Sequence, residues 1–324
     1  MLTFDAESTR TALPFAALID DLRAMFATGC ELPPRQVLEL AVPGGEPMTS
    51  LIMPAWLPGR YYGVKTVNIA AGNAARGLPG LHASYQLYDA TTGVPLALID
   101  GAVLTARRTA AASALAAQWL ARTDARHLLV VGAGQVARLL PPAYRASRRI
   151  DRVTVWARSV PAAQALAASL RGEGFDAAAA TDLEAAAGEA DIVSCATLAT
   201  APLVRGRWLR PGCHLDLIGS FTPAMREADD DCLAGAALYV DTDEALHKSG
   251  DLIGPIARGV VAASELRGTL AALARGQCFG RRSPNERTVF KSVGTALEDL
   301  AAAIGLFERH AAAPVGASPA DAAP

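Results

Sequence analysis

Apolar residues in the first third of the chain form short runs separated by turns rich in Gly and Pro. Runs of this length and spacing predict β-strands. The predicted strands are Val37–Val42, Ser50–Met53, Val64–Ala70, Ser84–Tyr88 and Val94–Ile99. The last two flank the sequence DATTG, which ends in Gly93 and is typical of a tight turn. We therefore expect these two strands to form a β-hairpin.

Beyond Arg126 the pattern changes, and strand-like apolar runs alternate with Ala-rich segments of helical periodicity. The predicted strands in this region are Leu128–Val131, Val153–Trp156, Ile192–Cys195, His214–Ile218 and Leu238–Val240. Such alternation is typical of a parallel sheet with helices on both faces. The region therefore predicts a doubly wound α/β fold.

Two further segments predict long helices. Leu104–Leu120 is rich in Ala and Leu and contains neither Gly nor Pro, while Val289–His310 has apolar residues at helical spacing. Packing of the second helix on the first region would make that domain discontinuous. We predict one domain from residues 1–118 with about 298–311, and a second from residues 119–297. The Ala/Pro-rich residues 312–324 predict a disordered tail.

The sequence HLLVVGAGQVA combines an apolar strand with a glycine-rich turn. Gly132 permits the tight turn, Gly134 lets the backbone approach a phosphate, and Ala137 allows close packing of helix on sheet. Gln135 and Val136 begin the helix, whose N-terminal N–H groups favour an anion. The motif predicts binding of the pyrophosphate of a dinucleotide.

Pro141 and Pro142 lie inside the helix that this motif begins. A proline in a helix interior removes a hydrogen bond and costs about 3 kcal/mol. We therefore expect the helix to be short or kinked.

The end of the next strand indicates which dinucleotide is bound. Enzymes that use NAD usually place an Asp or Glu there, where it binds the ribose 2′-hydroxyl. This chain has Trp156, Ala157, Arg158 and Ser159 instead, with no carboxylate. Because a guanidinium and a hydroxyl suit a 2′-phosphate, we expect NADPH, with NADH as a weaker alternative.

Three other strand ends carry residues that suit a ligand, since ligands of doubly wound sheets lie beyond the carboxyl ends of the strands. They are Ala196–Thr197, Gly219–Ser220 and Asp241–Thr242. Ordinary capping and turn formation is the alternative at each, and we expect it to explain one of the three.

Composition excludes several classes of protein. The net charge is −2 with no long basic run, which argues against nucleic acid as a partner. The five cysteines show no metal-ligand spacing, so we expect no metal and small buried thiols in a reducing cytoplasm. The N-terminus lacks the pattern of a signal peptide, and no apolar run reaches the length of a membrane span.

Four segments together resemble the ornithine cyclodeaminase/mu-crystallin family: MPAWLPGRYYGVKTVN, LYDATTGVPLALIDGAVLTARRTAAASALAA, VVGAGQVAR and TVFKSVGTALEDLAAA. The resemblance implies a Rossmann domain, a smaller α+β domain for substrate binding and dimerisation, and a homodimer. It also implies that Arg35, Lys65 and Arg108 hold the carboxylate of a small substrate, a role that suits guanidinium and ammonium groups. We expect the neighbouring Arg107 to be a solvated surface charge.

The chain departs from the cyclodeaminases of this family after the strand His214–Ile218. Phe221 stands where those enzymes have an Asp, and Met225 stands where they have a Lys. Because Phe cannot take a proton or orient water, cyclisation of ornithine is disfavoured. The same change argues, less decisively, against an alanine-type dehydrogenase.

Family members without this Asp include the NADPH-dependent ketimine reductases, and the segment GSFTPAMREADD resembles the bacterial ones. The resemblance therefore implies NADPH-dependent reduction of Δ1-pyrroline-2-carboxylate to L-proline. Δ1-Piperideine-2-carboxylate, which would give L-pipecolate, is a second expected substrate, because one methylene is weakly discriminated. Phe221 would then pack on the apolar ring. A non-catalytic protein that binds NADPH and a small ligand, as mu-crystallin-like members do, is the alternative of another class.

Three further residues have places in this scheme. His82 lies near the family's substrate-side loop, where it would donate a proton or bind the ligand unless it is only structural. Lys65, Arg108 and His82 are thus the expected catalytic residues. Ser292 and Val293 are expected to lie near the nicotinamide, and this expectation rests only on analogy with the family.

Overall fold

The computed structural model describes residues 1–312 and divides them into two compact units. Unit 1 consists of Met1–Asp21, Cys30–Thr105 and residues 299–312, and unit 2 consists of Leu22–Gly29 and Ala106–Glu298. The division after Thr105 precedes the boundary expected near residue 118, and both units draw on separate stretches of sequence. The predicted tail lies outside the described residues except for Ala312, which ends the last helix.

Unit 1 is built on a six-stranded sheet in the order β1-β6-β5-β4-β3-β2. Its strands are β1 (Leu2–Phe4), β2 (Gln36–Leu40), β3 (Met48–Leu57), β4 (Tyr61–Ala70), β5 (Leu81–Asp89) and β6 (Pro95–Asp100). The helices that begin within it are α1 (Ala6–Ala12), α2 (Phe15–Thr28) and α3 (Gly101–Leu120).

Neighbouring strands from β2 to β6 are antiparallel, and the predicted hairpin of β5 and β6 is confirmed. Strands β3 and β4 extend beyond the apolar runs that predicted them, because the two strands pair with each other along their whole length, from Met48 with Ala70 to Leu57 with Tyr61. The sequence pattern missed β1, which pairs in parallel with β6. Three residues are too few to show a period.

Unit 2 contains an eight-stranded sheet in which every pair of neighbours is parallel. Its strands are β7 (His127–Val131), β8 (Arg152–Trp156), β9 (Asp176–Ala179), β10 (Ile192–Cys195), β11 (His214–Leu217), β12 (Ala237–Val240), β13 (Gly268–Thr269) and β14 (Thr288–Lys291). The helices that follow α3 are α4 (Gln135–Ser147), α5 (Val160–Gly172), α6 (Leu183–Glu189), α7 (Ala245–Lys248), α8 (Gly250–Ala257), α9 (Leu270–Ala274) and α10 (Ala296–Ala312).

The strand order β13-β12-β14-β11-β10-β7-β8-β9 confirms the predicted doubly wound fold. The chain runs from β7 outward to β9 and then returns to place β10 on the other side of β7. The carboxyl ends of β7 and β10 therefore flank the point where the strand order reverses, which is where open α/β sheets bind ligands.

The expected helix Val289–His310 is wrong at its beginning. Thr288–Lys291 is strand β14, which lies between β11 and β12, and the helix begins only at Ala296. The run TVFK fits the helical period of the residues after it, but insertion between two buried strands decides its conformation. Gly294, with φ of 77°, lies in the turn between strand and helix.

The helix after the glycine motif was expected to be short or kinked; the first alternative is wrong, and the second stays a prediction. Helix α4 continues for 13 residues through Pro141 and Pro142. Its inner face is buried at Ala137, Leu140 and Tyr144. We attribute its continuation to this packing, which offsets the missing backbone donors.

Three of the five free cysteines are buried, and Cys30 and Cys278 are partly exposed. Within residues 1–312 no helix is both long and apolar enough to cross a membrane. The same residues contain no cluster of three His, Cys, Asp or Glu side chains suited to a metal ion.

We predict that Gly132→Ala lowers the free energy of unfolding by about 2–4 kcal/mol. Gly132 has φ of 125°, and an added Cβ would lie 2.6 Å from the carbonyl oxygen of Ala196. Denaturant unfolding followed by circular dichroism measures the loss.

Gly172→Ala is the matched control, since Gly172 ends α5 and an added Cβ there would meet nothing within 4 Å. We expect it to unfold at the wild-type denaturant concentration or slightly above. Equal stability of the Gly132→Ala variant and the wild type would contradict the close approach.

Candidate functional site

The turn between β7 and α4 has the geometry of a phosphate-binding loop. Gly132 donates its N–H to the carbonyl oxygen of Trp156 at 2.8 Å, which holds the turn against the end of β8. Gly134 caps α4, and an added Cβ there would meet nothing within 4 Å. Its outer side is therefore open, while the fully buried Ala137 lies against the sheet.

Gln135 and Val136 form the first turn of α4. The N–H groups of a first turn have no partner within the helix, and the helix dipole favours negative charge there. The open space at Gly134 and this helix terminus together fit the pyrophosphate of a dinucleotide.

The end of β8 provides the next group. Arg158 is exposed two residues beyond the strand. Ser159 caps α5 by accepting a hydrogen bond from the N–H of Ala162 at 3.3 Å. Its hydroxyl therefore has a structural function, and Arg158 is the cationic group available at this strand end.

The ends of β10 and β11 are held together by a residue that the sequence reasoning missed. The carboxylate of Glu227 accepts hydrogen bonds from the N–H of Thr197 at 2.8 Å, from its hydroxyl at 2.9 Å, and from the N–H of Gly219 at 2.7 Å. Burial raises the pKa of Glu227 to about 7. Ala196 and Thr197 are partly exposed, whereas Gly219 is buried.

Ser220, another predicted cofactor ligand, is fully buried. Its hydroxyl donates to the carbonyl oxygen of Met225 at 2.6 Å and lies 2.8 Å from the hydroxyl of Ser249. Met225 is itself buried, while Phe221 is 51% exposed. The loop after β11 thus presents an apolar ring to its surroundings and turns its serine inward.

Asp241, at the end of β12, fixes the segment that contains Val293. Its carboxylate accepts the N–H groups of Val293 at 2.8 Å, Gly294 at 2.7 Å and Thr242 at 2.8 Å. Burial raises the pKa of Asp241, and these backbone donors oppose the rise. The Asp241–Thr242 strand end therefore has a structural role, while Val293 remains partly exposed.

Arg108 lies beside this segment. It is buried in α3 and forms an ion pair with Glu298. An added Cβ at Gly294 would lie 2.6 Å from Nη1 of Arg108, so the glycine leaves room for the guanidinium. Unit 2 thus brings Arg108 together with the segment that contains Val293.

Arg107 is buried, contrary to the expectation from the sequence. The side chain is only 8% exposed, so it is not the solvated surface charge predicted from the sequence. Helix α3 is buried around most of its circumference, and the adjacent arginines Arg107 and Arg108 both lie in protein rather than water.

Lys65 occupies an equally buried position in unit 1. It is 2% exposed, and its ammonium lies 2.6 Å from the carboxylate of Asp299, which is also buried. Lys65 faces Tyr85 in the register of β4 and β5. The pKa of the Tyr85 hydroxyl is raised well above its usual value, first by burial and then by the charge of Asp299.

The remaining two expected ligands in unit 1 are more exposed. Arg35 is half-buried immediately before β2. His82 is exposed on β5 and pairs with Asn68 of β4. Asn68 follows Lys65 by three residues, an odd number. Since side chains alternate across a sheet, His82 and Lys65 point to opposite faces and are not brought together.

Glu298 and Asp299, the partners of Arg108 and Lys65, were also missed by the sequence reasoning. They are consecutive residues near the beginning of α10. The signal was available, because two acids inside an otherwise apolar helical run need buried cations. The sequence could not say which cations those are.

Comparisons with known proteins agree with this architecture. The model of the ornithine cyclodeaminase/mu-crystallin family matches residues 14–313. A Δ1-pyrroline-2-carboxylate reductase of Paracoccus denitrificans is 46% identical over 274 residues, which cover 84% of this chain and 86% of that protein.

Two solved structures have similar folds. The Δ1-pyrroline-2-carboxylate reductase of Thermococcus litoralis, in complex with NADH and L-proline, matches with a TM-score of 0.88 and 31% identity over 96% of this chain and 98% of its own. An archaeal alanine dehydrogenase dimer with bound NAD matches with a TM-score of 0.88 and 28% identity, over 98% of each chain. In sequence and in fold, the chain belongs to the ornithine cyclodeaminase/mu-crystallin family.

Proposed function

We propose that this protein catalyses the NADPH-dependent reduction of Δ1-pyrroline-2-carboxylate to L-proline, and of Δ1-piperideine-2-carboxylate to L-pipecolate. NADPH supplies a hydride to C2 of the imine, and the nitrogen keeps the proton with which the imine enters. The observation that carries the proposal is Phe221, an apolar residue in the loop after β11. A protonated imine can be reduced without a basic side chain at this position, whereas the cyclodeaminases of the family have an Asp there. The relatives from Paracoccus and Thermococcus, named for the reductase activity, support it.

The substrate carboxylate requires cations, and Lys65, Arg108 and Arg35 are the proposed ligands. Burial of Lys65 and Arg108 beside Asp299 and Glu298 fixes the direction of each cation. A guanidinium has five donors and an ammonium three, so either group can keep its acidic partner and also bind a substrate oxygen.

We expect wild-type protein to oxidise NADPH when Δ1-pyrroline-2-carboxylate is added, and Lys65→Met to lower kcat/KM at least about 100-fold. The readout is the loss of NADPH absorbance, with the thermal midpoint of each variant measured alongside. Lys248→Met is the matched control, because Lys248 also pairs with a carboxylate, that of Glu244, but on a surface helix.

Two results would contradict this assignment. Release of ammonia from ornithine would favour a cyclodeaminase. Tight NADPH binding by folded protein without turnover of either cyclic imine would favour a binding protein.

Arg158 supports NADPH as the preferred cofactor, since it is exposed beyond β8 where the ribose of the adenosine half is expected. We predict that Arg158→Ala raises KM for NADPH about tenfold or more and changes KM for NADH little. Initial rates with both cofactors measure the effect.

Arg152→Ala is the control, since Arg152 begins the same strand at its other end and pairs with Glu189. An Arg158→Ala variant that weakens NADPH and NADH equally would remove the 2′-phosphate assignment. Both cofactors are measured because the Thermococcus reductase structure contains NADH and the archaeal dehydrogenase structure contains NAD.

We further propose that two copies associate through the sheet of unit 1. The edge strand β2 is exposed along its whole length, and Val37 is 58% exposed. Cross-strand register places Val37, Ile69 and Leu81 on one face, so an apolar patch continues from the edge. Exposed apolar patches beside a free edge are typical of interfaces, and the archaeal alanine dehydrogenase is described as a dimer.

We expect the wild type to elute as a dimer and the double variant Val37→Lys/Ile69→Lys to elute as a monomer, because each copy would bring two charges into the interface. Size-exclusion chromatography with light scattering gives the mass. Phe279→Lys is the control, since Phe279 is an exposed apolar residue of unit 2. A double variant that stays dimeric would place the interface elsewhere.

A further inference from the structure

Glu227 lies in the loop after β11 and is fully buried. All the hydrogen bonds to its carboxylate described above come from two segments, the one that follows β10 and the one that follows β11. One oxygen accepts both donors of Thr197, and the other accepts the N–H of Gly219. These segments also touch directly, since an added Cβ at Gly219 would lie 1.9 Å from the carbonyl oxygen of Thr197.

The two segments occupy a defined place relative to the expected cofactor. The adenosine ribose is expected at the end of β8 and the pyrophosphate at the turn after β7. Strands β10 and β11 lie on the opposite side of β7 from β8. A dinucleotide with its adenosine half at β8 and its pyrophosphate at β7 is therefore expected to place its nicotinamide half over the ends of β10 and β11.

We propose that Glu227 is a positioning residue that holds the ends of β10 and β11 in the arrangement that receives the nicotinamide half of the cofactor. The inference rests on the proposed function, because it requires a dinucleotide at this edge of the sheet. Three donors meet two oxygens at this site, and only an ionised carboxylate accepts all of them without offering a donor of its own.

The surroundings of Glu227 fix its position further. Asp251 accepts the backbone N–H groups of Glu227 at 2.8 Å and Ala228 at 3.1 Å. Lys291, fully buried on β14, donates to the carbonyl oxygen of Leu217 at 2.9 Å and lies 3.5 Å from Asp251. The backbone and the side chain of Glu227 are therefore both held from neighbouring elements.

Cofactor binding should depend on pH, because only the ionised carboxylate of Glu227 accepts all three hydrogen bonds. Burial raises the pKa of Glu227 to about 7, Lys291 of β14 lowers it, and Asp251 of α8 raises it. Cys195 of β10 also faces this group, and its own pKa is raised well above the usual value by burial. Protonation of Glu227 replaces an acceptor by a donor, so the cofactor should bind more weakly as the pH falls through about 7.

The test compares dissociation constants of Glu227→Gln and wild type, measured by titration of cofactor fluorescence on the full chain. At about pH 8.5, where the wild-type carboxylate is ionised, we expect Glu227→Gln to weaken NADPH binding about tenfold or more. Asp191→Asn is the matched control. Asp191 is a buried carboxylate that accepts the N–H groups of Arg126 and His127 at 2.9 Å, at the opposite end of β10.

The pH series uses NADH, because NADH lacks the 2′-phosphate that itself titrates near pH 6. We expect the wild type to bind NADH more weakly below about pH 7 and Glu227→Gln to show a flat profile. A flat wild-type profile overturns the inference even if the variant fails to fold.

The inference is also overturned if Glu227→Gln binds NADPH within about twofold of wild type, or if Asp191→Asn loses as much affinity. An absence of cofactor binding by the wild type would instead overturn the proposed function on which the inference rests.

Discussion

Three loops meet at the carboxyl ends of adjacent parallel strands with almost no space between them. The turn after β7 approaches the end of β10 so closely that Gly132 has no room for a Cβ, and the same holds for Gly219 against Thr197. Parallel pairing of β7, β10 and β11 in register brings these ends to one edge of the sheet. Because backbone atoms rather than flexible side chains make these close approaches, a side chain at Gly132 or Gly219 could not be accommodated without moving the strand ends.

Buried charge is the second constraint on this protein. Lys65 pairs with Asp299, Arg108 with Glu298, and Lys291 lies near Asp251. Removing ions from water costs several kcal/mol each, so such pairs are weak evidence for stability and stronger evidence for a fixed direction of charge. Glu298 and Asp299 of α10 each orient a cation that the proposed function assigns to substrate binding. Asp251 accepts the backbone N–H of Glu227 and lies near Lys291, so a second pair of buried charges surrounds Glu227.

The sequence predicted the parallel strands from β7 to β12 well, except for β9, because their apolar runs are buried, apart from the partly exposed Trp156 of β8, and are bounded by turn residues. It failed where neighbours decide conformation. Thr288–Lys291 fits the helical period of the segment after it, yet it is a strand because β11 and β12 flank it. Arg107 looked solvated because a charge on a helix usually is, but the helix is buried.

Gly132, Gly134 and Ala137 form the turn into a helix that the sequence predicts, because such a turn restricts residue type locally, and Arg158 lies at the expected offset beyond β8. The ligands of these residues stay predictions. Local sequence therefore determined the doubly wound fold class of unit 2 and the glycine-rich turn between β7 and α4, and it indicated a nicotinamide cofactor. Only the tertiary structure decided that Glu227 joins two strand ends and that Glu298 and Asp299 face particular cations. These pairings connect residues far apart in sequence, and the packing of strands and helices, rather than any spacing along the chain, brings their side chains into contact.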